Sequence, residues 1–250
     1  MSAARYRIEK LLGQGRHASL WRAMDVDRRE RVALKVASRG CLRREFDTLQ
    51  ENQDGHAVKA HDCGVLPDGR PYLAMEYVDH GDLAHAPLPE GGAARALNDA
   101  ALALAGVHRR GWVHRDIKPA HLLLRANGQV VLCDFGSACR AGAREDRAAP
   151  SLVGTPRYAA PEQMEGAAAS TAADVYSLGI CAFELLAGKP PFRGETLTEL
   201  FSQHLRAPVP RLPPGAAHWQ SLVDAMLAKH PASRPADGDA VLAVLRENHS

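Results

Sequence analysis

The hydrophobic pattern of this 250-residue chain is mainly strand-like in its first part and helical in the rest, and that change restricts the folds open to it. Up to about residue 76, apolar residues come in short runs bounded by turn residues, which is the pattern of strands. Tyr6 to Leu12 and Leu20 to Met24 flank a glycine-containing turn, and Arg31 to Val36 is a third strand of alternating character. Leu42 to Leu49 interrupts them with helical spacing, placing Leu42, Phe46 and Leu49 on one face. Val65 to Leu73 reads as a hairpin, its turn marked by Pro67, Asp68 and Gly69. After a small, Pro- and Gly-containing stretch from His80 to Gly92, the spacing turns helical. Ala93 to Arg110 is an alanine-rich helix stopped by Gly111. Asp174 to Leu186, Leu197 to Leu205, Trp219 to Leu227 and Asp237 to Glu247 are further amphipathic helices. Strands first and helices afterwards predict an α+β fold in two lobes.

Composition narrows the class. Hydrophobic residues make up 46% and charged residues 24%, a globular balance in a chain long enough to bury a sizeable core. A formal net charge of +2 is too small to indicate a nucleic-acid partner. Five cysteines, odd in number and without C-x-x-C spacing, argue against a disulfide framework or a structural zinc site and for a reducing compartment. The start, Met1 to Arg7, lacks the apolar core of a signal peptide, and the longest apolar run, Ala100 to Val107, is too short for a membrane span. The expected location is cytoplasmic.

Two segments carry most of the chemistry: His114-Arg115-Asp116-Ile117-Lys118-Pro119-Ala120-His121 and, a short hairpin later, Asp134-Phe135-Gly136. Upstream lie Gly13-Gln14-Gly15-Arg16-His17-Ala18 and Ala33-Leu34-Lys35; downstream lie Gly154-Thr155-Pro156-Arg157-Tyr158, Ala160-Pro161-Glu162 and Asp174-Val175-Tyr176-Ser177-Leu178-Gly179. Singly these are weak signals. A G-x-G between strands is a common hairpin turn, Lys35 alone reads as a solvated edge-strand lysine, and His-Arg-Asp as a solvated charge run. In this order and spacing they resemble the motif set of eukaryotic-type Ser/Thr protein kinases, in the manner of the bacterial members. The resemblance runs from Tyr6 to the last helix.

The resemblance implies a single kinase domain over 1–250, with an N-lobe to about 76, a hinge at 76–82 and a C-lobe from about 83. It implies an enzyme that transfers the γ-phosphate of ATP to Ser or Thr hydroxyls of a protein substrate, with Mg2+ or Mn2+. Such chemistry needs ATP held still, its charge neutralised and the hydroxyl aimed in line. Gly13 and Gly15 would let backbone N–H groups cover the phosphates, although the third glycine of the pattern is Ala18 and the tip carries His17. Lys35 would meet phosphate and pair with Glu45, preferred to Glu51 because it lies on the Leu42/Leu49 side. Met75 would be the gatekeeper, Glu76 and Val78 the hinge contacts, and Leu12, Ala33 and Leu123 the walls around adenine. Asp116 would orient the hydroxyl, Lys118 would reach the transferring phosphate, and Asp134 would hold metal. Cys133 is expected in the core, although a thiol facing the nucleotide there would be open to electrophiles. Thr155 would bond within the catalytic loop, Glu162 would pair with Arg234, and Asp174 would brace the loop backbone.

One position departs from the pattern: the metal-holding asparagine of H-R-D-x-x-x-x-N is His121. Imidazole offers nitrogen, which magnesium takes poorly and manganese better. His121 therefore predicts a manganese preference, slow turnover on the Asp134 metal alone, or a nucleotide-binding pseudokinase acting as a scaffold for a regulatory partner protein. Protonated His121 would repel metal, so activity is expected to fall as pH drops through about 6.5. Small-molecule phosphotransferases share an H-x-D loop but lack the counterparts of Lys118 and of the Ala-Pro-Glu segment. Ser151 is the expected autophosphorylation site, held by Arg115.

Overall fold

The computed structural model describes residues 5–15, 17–86, 88, 91–144 and 155–247. Strands β1 (Tyr6–Gln14), β2 (Ala18–Asp25) and β3 (Glu30–Ala37) are followed by helix α1 (Arg43–Glu51), then β4 (Ala60–Val65) and β5 (Pro71–Glu76). These strands form one antiparallel sheet in the order β1-β2-β3-β5-β4. β3 is therefore the central strand, and Lys35, opposite Leu20 and Leu73, lies within the sheet and not at an edge. Its alternation is real, but both faces are covered. Val32, Leu34 and Val36 join Ala23 and Ala74 in a small outer cluster, while Ala33 and Lys35 face a cleft. The link from β3 to α1 is short, and α1 is only nine residues long.

The second part begins with α2 (Gly92–Arg109), then β6 (Trp112–Val113), β7 (Leu122–Leu124), β8 (Val130–Leu132) and β9 (Cys139–Arg140). β7 and β8 form a hairpin, and β6 pairs with β9. The helices α3 (Pro161–Met164), α4 (Thr171–Ala187), α5 (Leu197–Arg206), α6 (Gln220–Met226) and α7 (Gly238–Glu247) complete the fold. α2 ends as expected: Gly111 takes φ +74° and its N–H bonds the His108 carbonyl. Alanines on the buried face of α2 let α7 approach so closely that a Cβ on Gly238 would lie 2.2 Å from the Ala105 nitrogen. α4 is buried continuously from Ala173 to Phe183 and forms the axis of the helical part. One continuous core joins the two parts, running from Leu49 and Leu73 through Leu104, Leu132 and Phe135 to Leu222. No helix among the described residues is long and apolar enough to cross a membrane.

Candidate active site

A cleft of about 740 Å³ lies against the cleft-facing side of the sheet. Its lining includes every residue expected to hold the nucleotide: Leu12, Gly13 and Gly15 from the first turn, Ala33 and Lys35 from β3, and Glu45 from α1. Met75, Glu76 and Val78 come from the end of β5, and Leu123 from β7. Lys118, His121 and Asp134 line the same space. A Cβ at Gly13 would meet nothing of the protein within 4 Å, and one at Gly15 would make only ordinary contact with the Ala18 carbonyl. Neither glycine has a positive φ, so nothing in the fold itself demands glycine there.

Three charges converge at the back of the cleft. The Lys35 ammonium lies 2.8 Å from both Glu45 oxygens and 2.9 Å from Asp134 Oδ1. Burial acts to lower the Lys35 pKa, but the two carboxylates outweigh it and raise it. Burial raises the carboxyl of Glu45, with Lys35 opposing it. Gly136 lets the three meet: a Cβ there would stand 3.3 Å from Asp134 Oδ1 and 3.4 Å from Glu45 Oε2.

The loop carrying Asp116 is held from below and closed from above. Asp174 Oδ2 accepts the His114 N–H at 2.7 Å, and Oδ1 accepts the Arg115 N–H at 2.8 Å. Asp116 Oδ1 accepts both the backbone N–H (2.8 Å) and the hydroxyl (3.0 Å) of Thr155. Lys118 donates to Asp116 Oδ2 at 2.8 Å and to Thr155 Oγ1 at 2.9 Å. Arg115 (φ +69°) and Asp134 (φ +59°) are two of the three non-glycine residues with positive φ among the described residues. Backbone in that region persists only where its surroundings impose it, and such residues gather at functional sites.

His121 closes the arrangement. Its Nδ1 lies 2.9 Å from the Asp116 carbonyl oxygen, and its Nε2 lies 3.2 Å from Asp134 Oδ2. Burial would raise the Asp134 carboxyl, but hydrogen bonds from His121 and Lys35 outweigh it and hold the group well below its ordinary value. Asp134 is 41% exposed toward the cleft, and Asp116 lies nearby. Two carboxylates beside an open space suit a hard divalent ion that arrives with phosphate oxygens, since such ions keep few protein ligands. Among the described residues no group of three or more His, Cys, Asp or Glu forms a ready-made metal cage.

The family model for the protein kinase domain matches residues 6–245. The chain belongs to the protein kinase family. It is similar to Ser/Thr-protein kinases PknA of Corynebacterium glutamicum, at 34% identity over 94% of this chain and 54% of the relative. It is 35% identical to PknA of Mycobacterium tuberculosis over 97% of this chain and 62% of the relative, and 33% identical to PknL of the same species over 95% and 64%. The chain thus spans between about half and two thirds of the length of these curated relatives.

In this kinase domain several supporting residues escaped sequence reading. His108, an apparent helix-end histidine, donates from Nε2 to Asp174 at 3.1 Å and accepts the Gly238 N–H on Nδ1. Arg125 grips the Glu76 carboxylate with two bonds of 2.8 and 2.7 Å, which fixes where that side chain points. The Glu76 N–H already bonds the Lys59 carbonyl. Glu51, the rejected partner of Lys35, accepts the Trp112 indole N–H at 2.7 Å. Arg234 and Glu162 form the expected two-bond pair, with Arg234 fully buried. Cys133 is half-buried, packs against the core and also lines the cleft, and burial pushes its thiol up, away from the reactive thiolate. Ser151 lies outside the described residues.

Proposed function

We propose that this domain binds ATP with a divalent ion in the cleft and transfers the γ-phosphoryl group to Ser or Thr hydroxyls of a protein. The observation that carries the reading is the convergence of Asp116, Lys118 and Thr155 on one side of a cleft whose other side holds Lys35, Glu45 and Asp134. In this reading the sheet to about residue 76 is one lobe, 76–82 the hinge, and the remainder the second lobe. Leu12, Ala33 and Leu123 wall the adenine, with Met75 behind it. The Glu76 carbonyl and the Val78 backbone supply its edge contacts, since the Glu76 N–H is already committed. Gly13 and Gly15 leave room for phosphates, which explains glycines that the fold does not otherwise require.

Lys35, charged between two carboxylates, exchanges part of that pairing for phosphate oxygens. Asp134 and His121 would hold the ion, which neutralises phosphate charge when bound with the nucleotide. Asp116 accepts a hydrogen bond from the incoming hydroxyl and takes its proton late. Lys118, already beside Asp116, covers the transferring group. Phe135, buried against the His114 ring at 4.9 Å, keeps Asp134 turned into the cleft.

The test is transfer of labelled phosphate from ATP to a generic basic protein, in magnesium and in manganese, with Asp116→Asn as the blank. Signal above the blank supports the kinase. Signal equal to the blank in both metals overturns it and leaves the scaffold reading, for which nucleotide binding is the next measurement.

A further inference from the structure

The connection between the two parts of the chain, residues 76–82, is held at both ends by one short stretch of backbone. At its far end the Leu124 N–H bonds the Gly81 carbonyl and the Leu83 N–H bonds the Leu122 carbonyl, each at 2.9 Å. At its near end Arg125, the residue after β7, sends Nε and Nη2 to the two Glu76 oxygens at 2.8 and 2.7 Å. The remaining arm of that guanidinium, Nη1, reaches the Gly55 carbonyl at 2.9 Å and the Gln129 side-chain oxygen at 2.8 Å. Gly55 belongs to the link between α1 and β4. That link is tied to β8 by the Val58 N–H on the Leu132 carbonyl and the Leu132 N–H on the His56 carbonyl. One side chain thus joins the end of β5, the α1–β4 link and its own hairpin. Arg125 and Glu76 are only 19% and 22% exposed, so solvent screens the pair little, and the two-bond fork fixes direction as well as distance. Burial acts to raise the Glu76 carboxyl, but the bonds from Arg125 outweigh it, and the pair stays charged.

We infer that Arg125 is a positioning residue for the nucleotide: it holds the start of the 76–82 connection at a fixed height over β7 and so sets the width of the adenine slot. The inference rests on the nucleotide-binding reading given above. In that reading the Glu76 carbonyl and the Val78 backbone take the adenine edge, and Leu123 is a wall of the slot. Leu123 lies two residues before Arg125 and bridges Asp82 at the far end of the connection. Edge groups and wall therefore sit on one frame, whose corners are Glu76 with Arg125 and Gly81 with Leu124. Opening the first corner leaves the connection tied to β7 at its far end only, and Glu76 is then free to shift with the sheet. A slot held at fixed width spares the ligand the cost of ordering it, and loosening such a slot acts mainly on release. Arg125 is not among the residues lining the cleft, and its bonds go to none of Lys35, Asp116, Lys118 or Asp134. Its loss should therefore reach nucleotide binding and leave the transfer step intact.

The experiment uses the whole chain and measures release of a fluorescent ADP analogue by stopped flow, beside KM for ATP and kcat. Arg125→Met, which keeps the apolar stem, is expected to speed release about fivefold and raise KM by a similar factor, with kcat not lowered. Arg125→Lys, a point charge without the fork, should fall between that variant and the wild type. Glu76→Gln should act in the same direction, and the double variant should match Arg125→Met alone, since both remove one contact. Before nucleotide is added, amide exchange should quicken in Arg125→Met at residues 76–83 and 122–124 but not in α4. Unchanged release and KM with only a lower unfolding midpoint overturn the inference and leave the pair as a structural contact. Effects of the two single variants that add in the double variant overturn it as well. Failure of the wild type to bind the analogue strikes the nucleotide reading itself, whereas normal binding with unchanged release in Arg125→Met strikes only the role given to Arg125.

Discussion

Two aspartate–histidine pairs from distant parts of the chain stand at nearly equal separation, Asp174 with His108 at 3.1 Å and Asp134 with His121 at 3.2 Å. They do different work because of what each histidine meets on its far side. His108 Nδ1 accepts a backbone N–H, so Nε2 carries the hydrogen and gives it to Asp174. That carboxylate is wholly buried and also accepts two backbone N–H groups. The cluster is satisfied, and Asp174 stays charged: burial acts to raise its pKa, and the bond from His108 with its neighbours lowers it. His121 has the reverse arrangement. Its far nitrogen gives a hydrogen to a carbonyl, and the near one stands 3.2 Å from a carboxylate that opens to the cleft. One pair is complete within the fold; the other opens to the cleft.

The comparison breaks most sharply at the aspartates. Asp174→Ala should cost roughly 3–5 kcal/mol of stability in denaturant titration, because buried N–H groups and His108 lose their acceptor together. Asp134→Ala should leave stability within about 1 kcal/mol of wild type, yet reduce phosphate transfer at least about 100-fold. Equal stability losses would mean that the cleft pair is structural after all.

Another buried histidine extends the comparison to pH. His204 bonds the Tyr176 hydroxyl through Nδ1, its Nε2 has no partner, and Lys229 and Phe192 lie against it. Burial, assisted by the Lys229 charge, lowers its pKa to about 4. The unfolded chain therefore binds a proton that the folded one refuses between about 6.5 and about 4. Its contribution is complete above 6.5 and is lost as pH falls through that window, on the order of 3 kcal/mol in all. Denaturant titrations from pH 4.5 to 7 should show this slope in the wild type and its reduction in His204→Gln.

Substituting the paired histidines should separate them again, by less. His108→Leu is expected to cost about 1–3 kcal/mol, leaving part of Asp174 and the Gly238 N–H without partners, while His121→Leu costs less than that. Long-range nitrogen–proton NMR should find the hydrogen on Nε2 of His108 and on Nδ1 of His121. The same tautomer at both would remove the distinction. The smallest effect belongs to Gly136→Ala, whose Cβ would stand 3.3 Å from Asp134 Oδ1, so that side chain must give by a few tenths of an ångström. It should raise KM for ATP roughly fivefold, about 1 kcal/mol, with little change in unfolding.

Much of this arrangement was legible in the linear order of residues. The strand and helix segments lie where hydrophobic period and turn chemistry put them, to within a few residues, and Lys35 meets Glu45 and not Glu51 because the apolar face of α1 dictates which carboxylate turns inward. The β6–β9 pairing was not legible: two-residue strands carry no period, and only their contacts define them. Nor was the role of His108, since a histidine in the last turn of a helix reads as an ordinary partner of the helix dipole. That Cys133 both packs against the core and lines the cleft shows only once the cleft beside the strand is in place.

The sequence by itself determined the family, the two-part architecture and the identity of the charged groups, because these depend on residue type, period and spacing along the chain. Which nitrogen of each histidine carries its hydrogen, which aspartate is closed and which is open, and where the Glu76 side chain points were decided only by the tertiary structure. Each depends on a backbone carbonyl, N–H or guanidinium brought in from residues distant in the chain, and hydrogen-bond direction is set by the partner that arrives.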